Sequence, residues 1–427
     1  MYKLGLAVVI LLIMSISIYA KNVTNGESNT SLETVNTPIE IRSVRSILGA
    51  YDPIEHTRGQ IRAGYINFSE DGTPDANALA LGGHFHLYSK RWNGFKAGAE
   101  AYTVLKTDID KNSNTSNGDF YNNEGKSFIL LSQVYLDGKW GNNTLKLGRQ
   151  ILDTPHADSD DIRMMPNYFE AYTFTNTDIE DTTLSAGLIT KMAGWENGVD
   201  SGEFVKIAET LETDQSIDGV YYAAVAYEGI KDLSLSLWYY HYSDIANVLY
   251  TEIGYEHEVF ENTVMTLGLQ YDASQETGAA ILGKQDAQTY GISIETSFED
   301  LGINILAAYN QDNGDTGAMG LSLGGGAFFT SMEDQTLDAL GTSGSAWVIG
   351  AGYAFDTIGI DGLVCGLAYG NFEADDATLY HASEVDAILE YAWNEKISAT
   401  AAYTSVEHKV AHFQDYSQLR IIANYNF

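Results

Sequence analysis

Segments of alternating apolar and polar residues, each about ten residues long, repeat along most of this chain. In the last segment Leu419, Ile421 and Tyr425 lie on one face of an extended strand, and Gln418 and Arg420 lie on the other. Side chains alternate between faces in a strand, so each segment has one apolar face and one polar face. A strand of roughly 9–11 residues crosses a bilayer, and the repeat therefore predicts membrane-spanning β-strands.

Counting from Gln60 gives about 18 segments, an even number that suits a closed barrel. Their centres lie near Ile61, Leu81, Ala99, Val134, Leu147, Tyr172, Ala186, Ala224, Leu237, Tyr250, Leu267, Ile292, Ile305, Ile349, Leu363, Ala387, Ala401 and Ile421. The links after even-numbered segments are short, as at Glu299–Gly302, whereas most links after odd-numbered segments are long, as at Gln311–Gly344. The link near Asp244–Ala246 breaks this rule.

Short turns on one side and long loops on the other are the layout of outer-membrane barrels. The predicted fold class is all-β: a transmembrane antiparallel β-barrel of about 18 strands, with short periplasmic turns and long extracellular loops. An even number of strands puts both ends of the barrel on the periplasmic side. A soluble sandwich or solenoid rich in aromatic residues is the alternative, but it does not explain a final alternating strand that ends on the aromatic Phe427.

Residues 1–20 have the pattern of a secretory signal peptide, since Lys3 precedes an apolar run from Leu4 to Ile18 and the small residue Ala20. An uncleaved membrane anchor is the alternative, although the run is shorter than the roughly 20 residues of a spanning helix. Residues 21–59 are rich in Asn, Ser, Thr and Glu and are interpreted as a flexible leader. The barrel is predicted over residues 60–427.

The charge balance excludes several classes of function. With 23 basic and 58 acidic residues, the net charge of −35 argues against a nucleic-acid partner. The single cysteine, Cys365, cannot form an internal disulfide or a cysteine-based metal site. No nucleophile elbow, phosphate-binding loop or His-Glu-x-x-His motif is present, so neither an enzyme nor a cofactor is predicted.

One loop has part of a calcium-binding pattern. Asp108, Asp110, Asn112 and Asp119 occupy positions one, three, five and twelve of such a loop, but Ser113 replaces the glycine of the sharp turn. A solvated loop is the commoner interpretation of such a segment, and a calcium site is the alternative. No other metal site is predicted.

The most distinctive stretch is LKLGRQILDTPHADSDDIRMMPNYFE, from Leu145 to Glu170. It resembles the OprD-like family of substrate-specific outer-membrane porins, whose pattern is a strand ending in Leu-Gly-Arg-Gln, then Pro, Asp-x-Arg and Pro-x-x-Phe. The matching residues are Leu147, Gly148, Arg149, Pro155, Asp161, Arg163, Pro166 and Phe169. Glu170 and Ala171 stand where the family often has a glycine.

The resemblance implies that the loop Ile151–Tyr168 folds inward and narrows the pore. The charged residues predicted for this constriction are Arg149, Asp158, Asp160, Asp161 and Arg163. Charges at a constriction select ions and polar solutes. An ordinary surface loop with a local ion pair is the alternative.

Alternation of polarity also predicts charged residues that line the pore. On the basic side these are Arg62, Lys96, Lys146 and Arg420, and on the acidic side they are Glu295, Asp386 and Glu390. The basic residues fall on strands that become neighbours when the barrel closes, and the resemblance implies such a basic track. The alternative is that these charges only tolerate a wet lumen, because strand register slips easily.

The predicted function is passive, partly selective diffusion of ions and small polar or carboxylate-bearing solutes across the bacterial outer membrane. A structural or adhesin-like surface barrel is the alternative. The predicted partners are outer-membrane lipid and lipopolysaccharide, small solutes, and the barrel-assembly machinery, which would recognise the C-terminal strand. The resemblance leaves a monomer and a homotrimer open.

Overall fold

The computed structural model describes residues 54–107 and 117–427. Within them, 18 strands of at least eight residues form one sheet. The predicted signal peptide and residues 21–53 of the predicted leader lie outside the described residues. Residues 54–59, which the sequence analysis assigns to the leader, belong to the first strand.

The strands follow one another along the chain with few other elements between them. They are β1 (Ile54–Glu70), β2 (Ala76–Ser89), β3 (Phe95–Lys106), β4 (Phe128–Trp140), β5 (Asn143–Gln150), β6 (Tyr168–Asn176), β7 (Thr182–Ala193), β8 (Val220–Ile230), β9 (Leu233–Tyr242), β10 (Ala246–Phe260), β11 (Thr263–Glu276), β12 (Asp286–Phe298), β13 (Ile303–Asp312), β14 (Gly344–Ala354), β15 (Leu363–Ala374), β16 (His381–Ala392), β17 (Ile397–His408) and β18 (Tyr416–Asn426). Every predicted strand centre lies within one of these strands, so the predicted fold is confirmed.

The sheet closes on itself. Each strand pairs antiparallel with its neighbours in sequence, and β1 pairs with both β2 and β18. Ala63, for example, lies opposite Leu81 on one side and Ala423 on the other. Closure gives each of the 18 long strands that the structure describes a partner on both sides, which a bilayer requires because it offers the backbone no hydrogen-bond partner.

A short additional strand, Val205–Lys206, pairs with the end of β7, and a four-residue helix follows it at Ile207–Thr210. No helix among the described residues has both the length and the apolar character needed to cross a membrane.

The two faces of the barrel differ in the way that the sequence predicts. Apolar side chains such as Ile292 and Leu367 are more than half exposed on the outer face, at 52% and 58%. Polar side chains such as Asp386 and Arg420 are buried on the inner face. An exposed apolar wall with a polar interior is the arrangement that lipid outside and water inside favour.

Exposed aromatic residues mark both rims of the apolar wall. Tyr239, Tyr309 and Trp347 lie near the long-loop ends of their strands, and Trp140 and Phe260 lie near the short-turn ends. Aromatic rings are stable at the two membrane interfaces, so these residues bracket the membrane-spanning band.

Two long loops fill part of the interior. Met164 of loop 151–167 packs over Gly64 in β1, and Met332 of loop 313–343 packs over Gly370 in β15. A Cβ atom at either glycine would overlap the methionine sulfur, so each glycine provides the space that its loop occupies. The loops therefore belong to the packed interior of the barrel.

The difference between the faces predicts that arginine substitutions at two neighbouring positions lower the free energy of unfolding by unequal amounts. Leu237→Arg, on the lipid-facing side of β9, should lower the free energy of unfolding in bilayers by about 2–4 kcal/mol. Ser236→Arg should cost much less, because its side chain faces the lumen, where Glu252 lies directly opposite. Urea unfolding in lipid vesicles measures both, and equal losses would contradict the assignment of the faces.

Candidate functional site

Loop 151–167 crosses the lumen. At one side, the guanidinium of Arg62 on β1 forms two hydrogen bonds with the carboxylate of Asp161. At the other side, Nε2 of His156 lies 2.6 Å from Oδ2 of Asp272 on β11. Strands β1 and β11 lie on opposite sides of the ring, so the loop is attached to both walls of the barrel.

Loop 313–343 is attached to the wall formed by β16 and β18. Nη2 of Arg420 lies 2.6 Å from a carboxylate oxygen of Glu333. The backbone N–H groups of Asp334 and Gln335 donate to the carboxylate of Glu384, at 2.9 and 2.6 Å. Buried backbone donors need such partners, and this strand carboxylate satisfies two of them.

His156 joins the two loops to each other. Its Nδ1 lies 2.8 Å from Oγ of Ser322 in loop 313–343, and its Nε2 contacts Asp272 on the wall. His156 and Asp272 are fully buried and Ser322 nearly so. Both ring nitrogens are therefore engaged, and one side chain connects three elements.

Arginines and carboxylates alternate where the loops meet the wall. The three arginines are Arg62, Arg163 and Arg420, and their nearest carboxylates are Asp161, Asp119 and Glu333. These side chains come from β1, β18 and three loops, so only folding brings them together. Charges of both signs therefore meet where the loops contact the wall.

Arg163 has unusual surroundings. Its side chain is 2% exposed, and its guanidinium lies 4.5 Å from the centre of the Trp195 ring. Nε is 3.5 Å from Oδ2 of Asp119, but neither Nε nor Nη1 has a hydrogen-bond partner among the described residues. Burial and the nearby Arg420 lower the pKa of Arg163. Such a buried donor favours an anionic group.

Three loop carboxyls have raised pKa values. Burial raises the pKa of Asp158, and burial together with Glu196 and Asp158 holds the pKa of Asp160 well above its usual range. Burial raises the pKa of Asp334 to about 6. Neither carboxylate oxygen of Asp160 has a hydrogen-bond partner in the described part of the chain.

Arg149 does not join the other residues predicted for the constriction. It lies in β5 directly opposite Val134, whose side chain is exposed on the apolar outer face. Its Nε is 3.6 Å from the carboxylate of Glu170, and its guanidinium lies 4.3 Å from the centre of the Phe204 ring. Strand β5 continues to Gln150, so the alternation that faces Leu147 outward also faces Arg149 outward.

Four of the predicted lining residues lie away from the loop contacts of the constriction. Lys96 and Lys146 lie over the rings of Tyr88 and Tyr135, at 4.5 and 4.2 Å from the ring centres. The other two, Glu295 and Glu390, are half-buried in β12 and β16.

Asp386, which is predicted to line the pore, is buried in contact with loop 313–343. It accepts a hydrogen bond from the backbone N–H of Glu333 at 3.1 Å. Asp386 therefore helps to attach loop 313–343 to the wall.

The calcium-loop candidate is largely outside the described residues, which exclude Asp108, Asp110 and Asn112. Its fourth member, Asp119, contacts Arg163. Within residues 54–107 and 117–427, no group of three or more His, Cys, Asp or Glu side chains is arranged to hold a metal ion.

The inward path of loop 313–343 and the connecting role of His156 are not predicted from the sequence. A signal for the loop is present, because Leu321, Leu323, Phe328, Met332 and Leu337 are apolar in a segment without strands. Exposed loops carry few such residues. Nothing in the sequence identifies the partners of His156, which lie 116 and 166 residues away.

A cleft of about 470 Å³ opens on the long-loop side of Arg163. It lies between segments 118–125 and 198–201, with Trp195 also in its wall. Asp119 and Trp195 both line the cleft and contact Arg163. Arg163 itself does not line the cleft, so these two side chains separate the cleft from the buried guanidinium.

The two side-chain contacts of His156 predict that its removal loosens both loops. His156→Ala should increase hydrogen–deuterium exchange in 151–167 and in 313–343 by about tenfold or more, because buried polar partners are left unsatisfied. His412→Ala, in an exposed loop, is the matched control. Unchanged exchange in 313–343 would show that His156 does not hold that loop.

The raised pKa of Asp334 predicts a pH-dependent loop. The folded loop retains a proton at pH 5 that the released loop gives up, so docking of 313–343 should weaken as the pH rises from about 4 through 6. Hydrogen–deuterium exchange rates of loop 313–343 at pH 4 and pH 7, each corrected for the intrinsic rate of exchange at that pH, measure this change. Asp334→Asn should reduce the pH dependence and exposed Asp71→Asn should not; equal dependence in all three proteins would contradict the assignment.

Comparison with known proteins agrees with this architecture. Residues 94–427 match the family model described as outer membrane porin, OprD family. No curated protein sequence matches significantly.

The fold is similar to several solved porins. OpdK from Pseudomonas aeruginosa, in its structure with vanillate, is 18% identical with a TM-score of 0.72, covering 87% of this chain and 98% of its own. OccAB3 from Acinetobacter baumannii is 15% identical with a TM-score of 0.73, and the match covers 87% of this chain and 98% of OccAB3. A BenF-like porin from Pseudomonas fluorescens Pf-5 is 15% identical with a TM-score of 0.74, and the match covers 88% of this chain and 100% of the BenF-like porin.

The family model covers well over half of the chain, and the closed barrel with its inward loops has the fold of these porins. The chain therefore belongs to the OprD family of outer membrane porins.

Proposed function

We propose that this porin passes small polar solutes that carry a carboxylate, through an aperture between loops 151–167 and 313–343. The observation that carries the proposal is the attachment of loop 151–167 to opposite walls, at Arg62 and at Asp272. A barrel of 18 strands is too wide for its own side chains to fill, so an open lumen would be unselective. A loop attached at both sides narrows the pore to a size that discriminates among solutes.

Arg163 is the proposed contact for the solute carboxylate. Its buried Nε and Nη1 lack hydrogen-bond partners among the described residues, and its neighbours Asp119 and Trp195 line the cleft. A guanidinium recognises a carboxylate through parallel hydrogen bonds. OpdK, a similar porin, was solved with vanillate, a small aromatic carboxylate.

Below Arg163, the remaining basic residues are proposed to form a path toward the short-turn side. Arg62 and Arg420 flank the aperture, and Lys96 and Lys146 lie farther along the lumen. Glu295, Asp386 and Glu390 are proposed to line the facing wall, and Asp158, Asp160 and Asp161 to set the local charge of the loop. Opposed charges orient a polar solute as it moves.

The family does not favour a structural or adhesin-like barrel as the alternative function. Enzymatic activity is also outside this proposal. Ser322, His156 and Asp272 form a hydrogen-bonded chain like that of some hydrolases, but all three are at most 5% exposed. The three side chains connect loop 151–167 with loop 313–343 and with the wall, which supports a structural role for them.

Two further partners belong to the proposal. The alternating strand β18, with Phe427 after it, is proposed as the segment that the barrel-assembly machinery recognises. The porin is proposed to act as a monomer or a homotrimer, since each barrel encloses its own pore. Light scattering of the purified protein distinguishes these two states.

Recordings in planar bilayers test the channel and its selectivity. The full-length porin should conduct, and a small aromatic carboxylate such as benzoate should block the current. Arg163→Ala should shift the reversal potential in a salt gradient toward cations and weaken the block about tenfold or more, because a charged hydrogen bond is lost. Arg163→Lys should retain the charge but weaken the block, because the planar fork is lost.

Lys231→Ala is the matched control, since that lysine is 87% exposed in a short turn outside the aperture. An inserted barrel that conducts no current would contradict the channel. Block that is equal in Arg163→Ala and in the unmodified porin would remove Arg163 from the solute path.

A further inference from the structure

A row of four charged residues crosses the outer wall at the long-loop end of β5, β6 and β7. Arg149 lies directly opposite Glu170, Glu170 opposite Lys191, and Lys191 opposite Lys206 on the short strand Val205–Lys206. Directly opposed residues of antiparallel strands project from the same face of a sheet. These four side chains, the outer cationic row, therefore share one surface.

That surface is the outside of the barrel. Val134, which continues the row beyond Arg149, is exposed on the apolar face. Met192 and Val205, the next pair along from Lys191 and Lys206, are buried. Alternation then turns both lysines outward, away from the lumen.

The row has more positive than negative charge. Glu170 is its one carboxylate, and it lies 3.1 Å from Nζ of Lys191 and 3.6 Å from Nε of Arg149. Lys206 is exposed and takes part in no ion pair within 4.0 Å among the described residues, so its ammonium group is available to an anion. Three cations around one carboxylate are notable in a chain with a net charge of −35.

The arrangement is incomplete without an anion. Like charges directly opposite each other in a sheet are destabilising, and Lys191 and Lys206 are such a pair. Arg149 is held in place, because its Nη1 donates to the carbonyl of Leu131 at 3.1 Å and its guanidinium stacks on Phe204. An anion seated between the two lysines would remove their repulsion.

The depth of the row identifies the kind of anion. Tyr172, two residues from Glu170 on the same face, is 47% exposed. Tyr221, also exposed, lies opposite Leu188, three residues before Lys191. Exposed tyrosines mark the membrane interface, so the row lies at the level of the outer-leaflet headgroups.

We propose that the outer cationic row binds a phosphate group of an outer-leaflet glycolipid. Basic clusters beside an apolar wall recognise anionic lipid headgroups in this way. The phosphate lies between Lys191 and Lys206, and Arg149 adds positive charge at the other end of the row. The acyl chains pack on the exposed wall around Leu131 and Tyr172.

Binding of defined lipids to the purified full-length porin in detergent tests this site. Diphosphorylated lipid A should bind, and dephosphorylated lipid A should bind at least tenfold more weakly, as measured by native mass spectrometry. Lys206→Ala should weaken binding about fivefold, and Arg149→Ala, Lys191→Ala and Lys206→Ala together about a hundredfold. Glu170→Gln should tighten binding, because it removes the competing carboxylate.

Lys409→Ala, which changes another exposed loop cation, is the matched control and should bind as the unmodified porin does. Lys206→Glu provides a second test in case the triple variant does not fold. This single change should leave folding intact, because the exposed Lys206 side chain lies outside the barrel strands. Equal binding of the phosphorylated and dephosphorylated lipids, or unchanged binding by Lys206→Glu, would overturn the proposal. Full displacement of the lipid by millimolar inorganic phosphate would also overturn it, because the site would then recognise the free anion.

Discussion

The bilayer offers no hydrogen-bond partner to the backbone, and this single constraint organises the whole molecule. Each strand satisfies its N–H and C=O groups on two neighbours, and the pairing of β1 with β18 removes the last open edges. The number of strands then sets the width of the barrel. A ring of 18 strands is too wide to be packed by its own inward side chains, so its interior is left to water and to inward-folded loops.

Loops 151–167 and 313–343 occupy that interior, and buried polar groups attach them there. Polar groups buried without partners are costly, which makes each attachment specific. Asp161 pairs with Arg62, and Glu333 pairs with Arg420. His156 reaches Asp272 and Ser322, so the two loops also depend on each other. The same charges that hold the loops are those proposed to line the aperture, so stability and the proposed selectivity rest on shared residues.

The two faces of the strands give identical residue types different roles. Arg62 and Arg420 face the lumen and hold loops, whereas Arg149 faces outward beside Glu170 and Lys191. On the lumen side water and loop carboxylates stabilise a guanidinium, and on the outer side the available anions are those of the lipid headgroups. In the two proposals, the sparse basic residues of this acidic chain thus serve both the pore and the membrane interface.

Much of the fold follows from the sequence alone, because alternation with period two and the lengths of the links are local properties. They are sufficient to predict the 18 strands, the lipid-facing side, and the pattern of short turns and long loops. The motif from Leu145 to Glu170 identifies the family and one inward loop. Alternation places Arg149 on the outer face with Leu147, whereas the family motif groups Arg149 with the residues of the inward loop. The structure shows that β5 continues to Gln150, so Arg149 belongs to the strand and faces outward.

The tertiary structure decided which residues meet across the lumen. The links from Arg62 to Asp161, from Arg420 to Glu333, and from His156 to Asp272 join residues that are 87 to 116 positions apart. Their pairing depends on the path of each loop inside the closed barrel, and periodicity within a strand carries no information about that path. The alternating strand that ends near Phe427 could thus be recognised from its own residues, whereas the role of its Arg420 depends on a loop that only folding brings to it.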